Sequence, residues 1–367
     1  MQIKSILFLF LLVAVGFVSC DKDDHDDHDH DHNEYTIPTT YNFDNVSYTG
    51  QTQRLDMLGE LTTYMKTANT LGTQVTEQTL LNMFRNENSP FSTDELNTTT
   101  KQIASKTFAD DLAMFEGWMA EMAASSQATE AGSNGVAGVV TSNDGAKSYL
   151  NSANGFEYVQ LIEKGLMGAL IFYQIAEVYT REGKIGDAVD NTTVTEGKGT
   201  DMEHHWDEAF GYFGATTDFP ANTNGIRYWA KYSNDRDALI NCNQAIMDAF
   251  LKGRAAISNN DDVAKWEAAI EVRSQIERVA AATAIHYINE AVNNFNDDAL
   301  RNHTLSEAYA FTGAIKYNSD RELSIDAIGL VQNALGSNFY ESDLISLSEA
   351  RDLLSSTYGF DAVKLEL

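Results

Sequence analysis

From Gln51 onward, apolar residues recur at intervals of three and four, the spacing of one helical face. Leu55, Leu58, Leu61 and Met65 make the first such stripe. A short helix is predicted near Glu77–Arg85, ending ahead of Ser89-Pro90, because proline cannot continue a helix. Ser92 or Thr93 is placed to cap a longer helix running through Phe108, Leu112, Phe115, Trp118 and Met122. Residues 125–148, rich in Gly, Ser and Asn, read as a flexible loop. A strongly apolar helix is expected over Phe156–Thr180 and a polar loop over 181–200. Further helices fit 203–214, 235–254, 261–295, 304–315, 321–335 and 346–356. Period-two alternation is nearly absent, and the 367 residues hold three prolines. The fold class this predicts is all-α, built of bundles.

Ahead of the helices the pattern changes twice. Ile6–Val18 is an uncharged apolar run behind Lys4, too short to span a bilayer. It ends Phe17-Val18-Ser19-Cys20, which resembles a lipobox. Residues 1–20 are therefore expected to be a lipoprotein signal, with Cys20 the lipidated residue. Each buried acyl CH₂ would contribute roughly 0.8 kcal/mol to the tether. Asp21-Lys22-Asp23-Asp24 resembles the acidic export signal of Bacteroidetes surface lipoproteins, so the expected address is the outer face of the cell outer membrane. From His25 to His32 the chain reads HDDHDHDH. Imidazole and carboxylate both bind divalent metals, so this tract reads as a solvated spacer with a capacity for weak metal capture. Tether and extended lead-in together occupy residues 21–50, and the helical domain 51–367.

Charge narrows the partners. Lys and Arg number 25 against 54 Asp and Glu, a net of −29. Phosphate backbones require clustered Lys and Arg, so no nucleic-acid partner is expected. With Cys20 lipidated, Cys242 has no partner for a disulfide and is expected as a buried thiol.

The chain also resembles itself. Glu208-Ala-Phe-Gly-Tyr-Phe-Gly-Ala215 aligns with Glu307-Ala-Tyr-Ala-Phe-Thr-Gly-Ala314, and His204 and His303 each stand four residues before the Glu. Downstream, Lys231-Tyr-Ser-Asn-Asp-Arg236 recurs as Lys316-Tyr-Asn-Ser-Asp-Arg321. An internal duplication is expected, with repeats at about 156–254 and 261–340, giving two related helical bundles. The Asp-Arg pairs are expected to begin helices, with the Lys-Tyr pairs on the turn before them.

Residues four apart share a helical face. His204/Glu208 and His303/Glu307 thus each present an imidazole beside a carboxylate, and His205 is an alternative at a spacing of three. Such pairs can anchor two helices, act as acid and base, or hold a divalent metal or iron, the last if both copies converge. Trp229, beside Arg227 and Tyr228, is the best candidate for an exposed aromatic platform. Trp118 and Trp266 fall on apolar stripes and read as core. No phosphate-binding Gly loop, HExxH, CxxC or GxSxG motif occurs.

The stretch YTIPTTYNFDNVSYTGQTQRLDMLGELTTYMKT, followed by LLNMFRNENSPF, resembles the opening of a Bacteroidetes lipoprotein family known as domain of unknown function 4856. More remotely, the two-bundle plan and His205-x-x-Glu208 are similar to imelysin-like envelope proteins. That resemblance implies a link to iron acquisition and an HxxE motif between helical domains. This chain lacks the fuller Gly-x-His-x-x-Glu context, since His204 stands directly before His205. The expected function is a surface-anchored, non-enzymatic lipoprotein that binds a metal ion or metal complex. The alternatives are a metallopeptidase of imelysin type and a glycan-binding or adhesion module.

Overall fold

The computed structural model describes residues 35–367. The lipobox, Cys20 and the Asp/His tract lie outside the described residues. From Tyr35 to Tyr48 the chain is irregular lead-in, and Thr49–Lys66 forms α1. Next come α2 (Glu77–Arg85), α3 (Asp94–Thr98) and α4 (Leu112–Ser125). The long helix expected before Met122 is thus broken. Short 3₁₀ turns at Ala104–Lys106 and Ala109–Asp111 replace its middle.

The loop expected over 125–148 contains order. Gly138–Thr141 (β1) pairs antiparallel with Ser148–Asn151 (β2), Gly138 facing Asn151. Four residues per strand are too few for a visible alternation. α5 (Tyr158–Leu166) continues as π-helical turns over Met167–Phe172 and Gln174–Tyr179. α6 (Glu182–Ile185) and α7 (Asp201–Phe213) follow. The expected helix over 235–254 is two helices, α8 (Tyr228–Ile240) and α9 (Asn243–Ser258). They part at Asn241, which is left-handed at φ 52°, a conformation that Asn tolerates better than most residues. The rest is α10 (Asp262–Asn293), α11 (Asp298–Ala314), α12 (Ile325–Leu335) and α13 (Leu344–Tyr358).

α10, with 32 residues, is roughly 48 Å long and packs along α9 on one side and α11 on another. α5 lies against α11, α4 and α1. Residues 35–367 form a single unit around one contiguous apolar core, which includes Trp206, Phe250, Ile276 and Phe311. Cys242 is fully buried in it, against Ser233. Among the described residues no helix is long and apolar enough to cross a membrane.

Candidate functional site

Both His/Glu blocks fall in helices, α7 and α11, but capping launches them differently. Thr200 and Glu203 cap α7 reciprocally, so two otherwise free backbone N–H groups are satisfied at once. At α11 the Asp297 carboxylate accepts from the Ala299 and Leu300 N–H groups. The two blocks then face different surroundings.

On α11, His303 sits between two carboxylates. Its Nδ1 is 2.5 Å from Oε2 of Glu157, and its Nε2 is 3.7 Å from Oε2 of Glu307. The Tyr149 ring stacks on the imidazole with centroids 4.1 Å apart. Burial would lower the basicity of His303, but Glu157 outweighs it and holds the ring's pKa above the ordinary histidine value. Glu307 is itself buried, and burial raises its pKa against the opposing pull of Lys164 and His303. The Lys164 ammonium lies 3.7 Å from Glu307 and 3.1 Å from Glu163, while Lys66 lies 3.6 Å from Glu163. His303, Glu307, Lys164 and Lys66 line an open polar cleft of about 520 Å³, which Tyr287 and Glu290 complete.

On α7, Glu208 is half-buried and accepts from Nε2 of Gln51 at 2.6 Å. His205 donates from Nδ1 to the Lys184 carbonyl at 2.8 Å, which leaves Nε2 to accept from the Lys184 ammonium at 3.1 Å. Burial, and the Lys184 charge against a bond to its carbonyl, hold His205 below the usual histidine range. His204 points elsewhere: its Nδ1 is buried with no hydrogen-bond partner among the described residues.

The two blocks do not converge. Gln51, beside Glu208, opens α1, whereas Lys66, beside the Glu307 cleft, closes it. Fifteen residues of helix put those ends roughly 22 Å apart. The expectation of four ligands around one ion therefore fails. Among the described residues, no three His, Cys, Asp or Glu side chains are gathered so as to hold a metal ion.

The second pair of blocks differs in conformation too. Lys231–Arg236 lies inside α8, so Asp235 and Arg236 do not start a helix. Lys316 and Tyr317 form a 3₁₀ turn, and Asp320-Arg321 lies in the loop before α12. Asp320 bridges Arg181 at 2.7 Å and Arg273 at 3.0 Å. Trp229 is no platform. It is wholly buried, and its Nε1–H donates to the Met167 carbonyl at 2.8 Å.

The α5 partners, Glu157 and Lys164, escaped the pattern reading. Their signal was present: a lone Lys within the apolar run Val159–Phe172 must meet an acid or the surface.

Comparison with family models matches residues 38–327 to the family described as Domain of unknown function (DUF4856). The comparisons with curated proteins and with solved structures gave no match.

Proposed function

This chain belongs to the DUF4856 family, whose description names no activity, and we propose from the α11 cleft that it binds a metal ion carried in a complex. The observation that supports this is the line Glu157–His303–Glu307. A histidine that ligates metal commonly gives its other ring nitrogen to a carboxylate, which fixes the ring and its tautomer. Glu157 stands in that position at Nδ1, and Nε2 faces Glu307. The 3.7 Å between the two heads is less than twice a metal–ligand bond of about 2.0–2.2 Å, so one ion can meet both.

Two protein donors leave most of a coordination sphere open. The rest then comes from water or from a chelator, and a cleft of about 520 Å³ has room for one. Lys66 and Lys164 beside it favour an anionic chelator. A divalent metal or iron suits a nitrogen and oxygen donor pair. When bound, the ion supplies the attraction for the chelator. The chain's own residues orient His303, hold Glu307 and screen the cleft.

The same reading carries the envelope setting: acylation at Cys20, display on the outer membrane surface, and kinship with imelysin-like proteins. Support for that setting is the Phe17–Cys20 ending, the Lys22-Asp23-Asp24 stretch and the paired His/Glu helices in an all-α chain. Replacing Cys20 by Ala should move the protein out of the membrane fraction.

The test of binding uses residues 35–367, because the Asp/His tract would take up metal by itself. Zn²⁺ and Fe²⁺ are titrated calorimetrically, with and without citrate. His303→Ala should abolish binding, and Glu157→Gln should weaken it by about 10–100-fold. Affinity should rise with pH, since a proton must leave His303. Binding unchanged in His303→Ala would refute the reading.

A further inference from the structure

The surroundings of Glu208 carry a second, independent conclusion. Four basic side chains meet there in a chain with more than twice as many acids as bases. Arg54 donates from Nη1 to the Gly50 carbonyl at 3.1 Å, and a Cβ on Gly50 would touch the Lys101 side chain at 2.9 Å. The Lys106 and Lys184 ammonium groups lie 5.8 and 5.9 Å from the centre of the Tyr179 ring. Glu208 is the carboxylate in their midst. It accepts from Gln51, and its charge acts on Lys106, Tyr179, His205 and Tyr212.

None of the four cations is within ion-pair distance of an acid among the described residues. One negative charge against four positive ones leaves a local excess that no ion pair among the described residues neutralises. The strain registers on Lys106: burial and the Arg54, Lys184 and Lys101 charges hold it below the ordinary lysine range, against the pull of Glu208.

A separate observation points the same way. The Tyr212 hydroxyl is wholly buried close to the Arg54 guanidinium, yet makes no hydrogen bond of good geometry among the described residues. A buried hydroxyl left unpaired is costly. Tyr212, Tyr179, Gln51 and the cations together offer hydrogen-bond donors, and Glu208 is the acceptor already present.

We propose that Arg54, Lys101, Lys106 and Lys184, gathered around Glu208, bind a small oxyanion, a carboxylate or a phosphate group. Glu208 competes with the ligand as an internal carboxylate. This opposes the role a metal ligand would have at the same position, and it makes the two distinguishable. The site lies at the far end of α1 from the α11 cleft and does not depend on metal there.

The test titrates the full chain with inorganic phosphate and with citrate at low ionic strength, following binding by calorimetry. Saturable binding by either probe is expected, weakening as salt rises. Lys106→Ala and Lys184→Ala should each lower affinity at least fivefold, with Lys184→Arg restoring it. Glu208→Gln should tighten binding about tenfold while the melting temperature stays near that of the parent. The tighter probe identifies the anion class. No saturable binding by either probe, or weaker binding in Glu208→Gln, would overturn the proposal. Lys106 and Lys184 are partly exposed, so melting curves show directly whether the variants are folded.

Discussion

α7 and α11 carry aligned sequences, yet the structure uses them in opposite ways. Around α11, buried acids dominate: Glu157, Glu163 and Glu307 share Lys164 and His303. Around the same face of α7, cations dominate and Glu208 stands among them. The difference comes from the elements packed against each helix. α11 meets Glu157, at the N-cap of α5, and Lys164 within α5. α7 meets α1, whose Gln51 reaches Glu208, and α6, which carries Lys184. A His-x-x-x-Glu spacing sets which side chains share a face, and the neighbours set what that face can bind.

The backbone shows a second contrast. Gly211 of α7 aligns with Ala310 of α11. A Cβ at Gly211 would meet the Cβ of Tyr48 at 2.5 Å, because the lead-in chain lies against α7 there. Gly214 ends α7 at φ 84°, whereas its counterpart Gly313 continues inside α11. One turn before Gly211, on the same face, α7 carries Asp207, wholly buried with Arg254 at 3.0 Å and the Tyr41 hydroxyl of the same lead-in chain at 2.8 Å.

The largest test of the comparison removes one cation from each side. Lys164→Ala should destabilise by about 3–5 kcal/mol in urea, since it leaves buried carboxylates uncompensated. Lys184→Ala should stay within about 0.5 kcal/mol of the parent, because it relieves like-charge repulsion. Equal losses would mean the two sites are electrostatically alike. Exchanging the aligned small residues comes next. Gly211→Ala should cost about 1–3 kcal/mol by forcing Tyr48 aside, while Ala310→Gly should cost about 1 kcal/mol through helix propensity. Chemical denaturation of both variants compares them directly.

The pH response is smaller and has a defined sign. The pKa of His303 is raised in the folded state, so its contribution is complete below about 6.5 and is lost as pH rises through the folded value. Unfolding free energy should therefore fall on that side by no more than about 1.4 kcal/mol per pH unit. Glu157→Gln should flatten the fall, and Glu208→Gln should leave it unchanged. The smallest effect concerns the second repeated block. Asp320→Asn removes contacts to two arginines from other elements and should cost about 1 kcal/mol, whereas Asp235→Asn removes an exposed pair with Lys231 on one helix and should cost about 0.3–0.5 kcal/mol. Thermal melts of the two variants rank them.

Helical periodicity is local, and for that reason much of the fold was legible. The bounds of α2 and α10, the burial of Cys242 and the shared face of His303 and Glu307 all depend on residues a few positions apart. The π-helical turns after α5, the break at Asn241 and the β1–β2 hairpin were not legible. There, the backbone departs from a regular period over only a few residues. The sites were legible only by half. His303 was visible, but Glu157 stands 146 positions away, and Gln51 stands 157 from Glu208. Trp229 looked free in sequence, yet Phe172 and Phe311 close over it from two other elements. The sequence alone determined which side chains each helix offers. Only tertiary packing decided which charges stand beside them, because ion pairing and burial depend on distances in space that spacing along a chain does not encode.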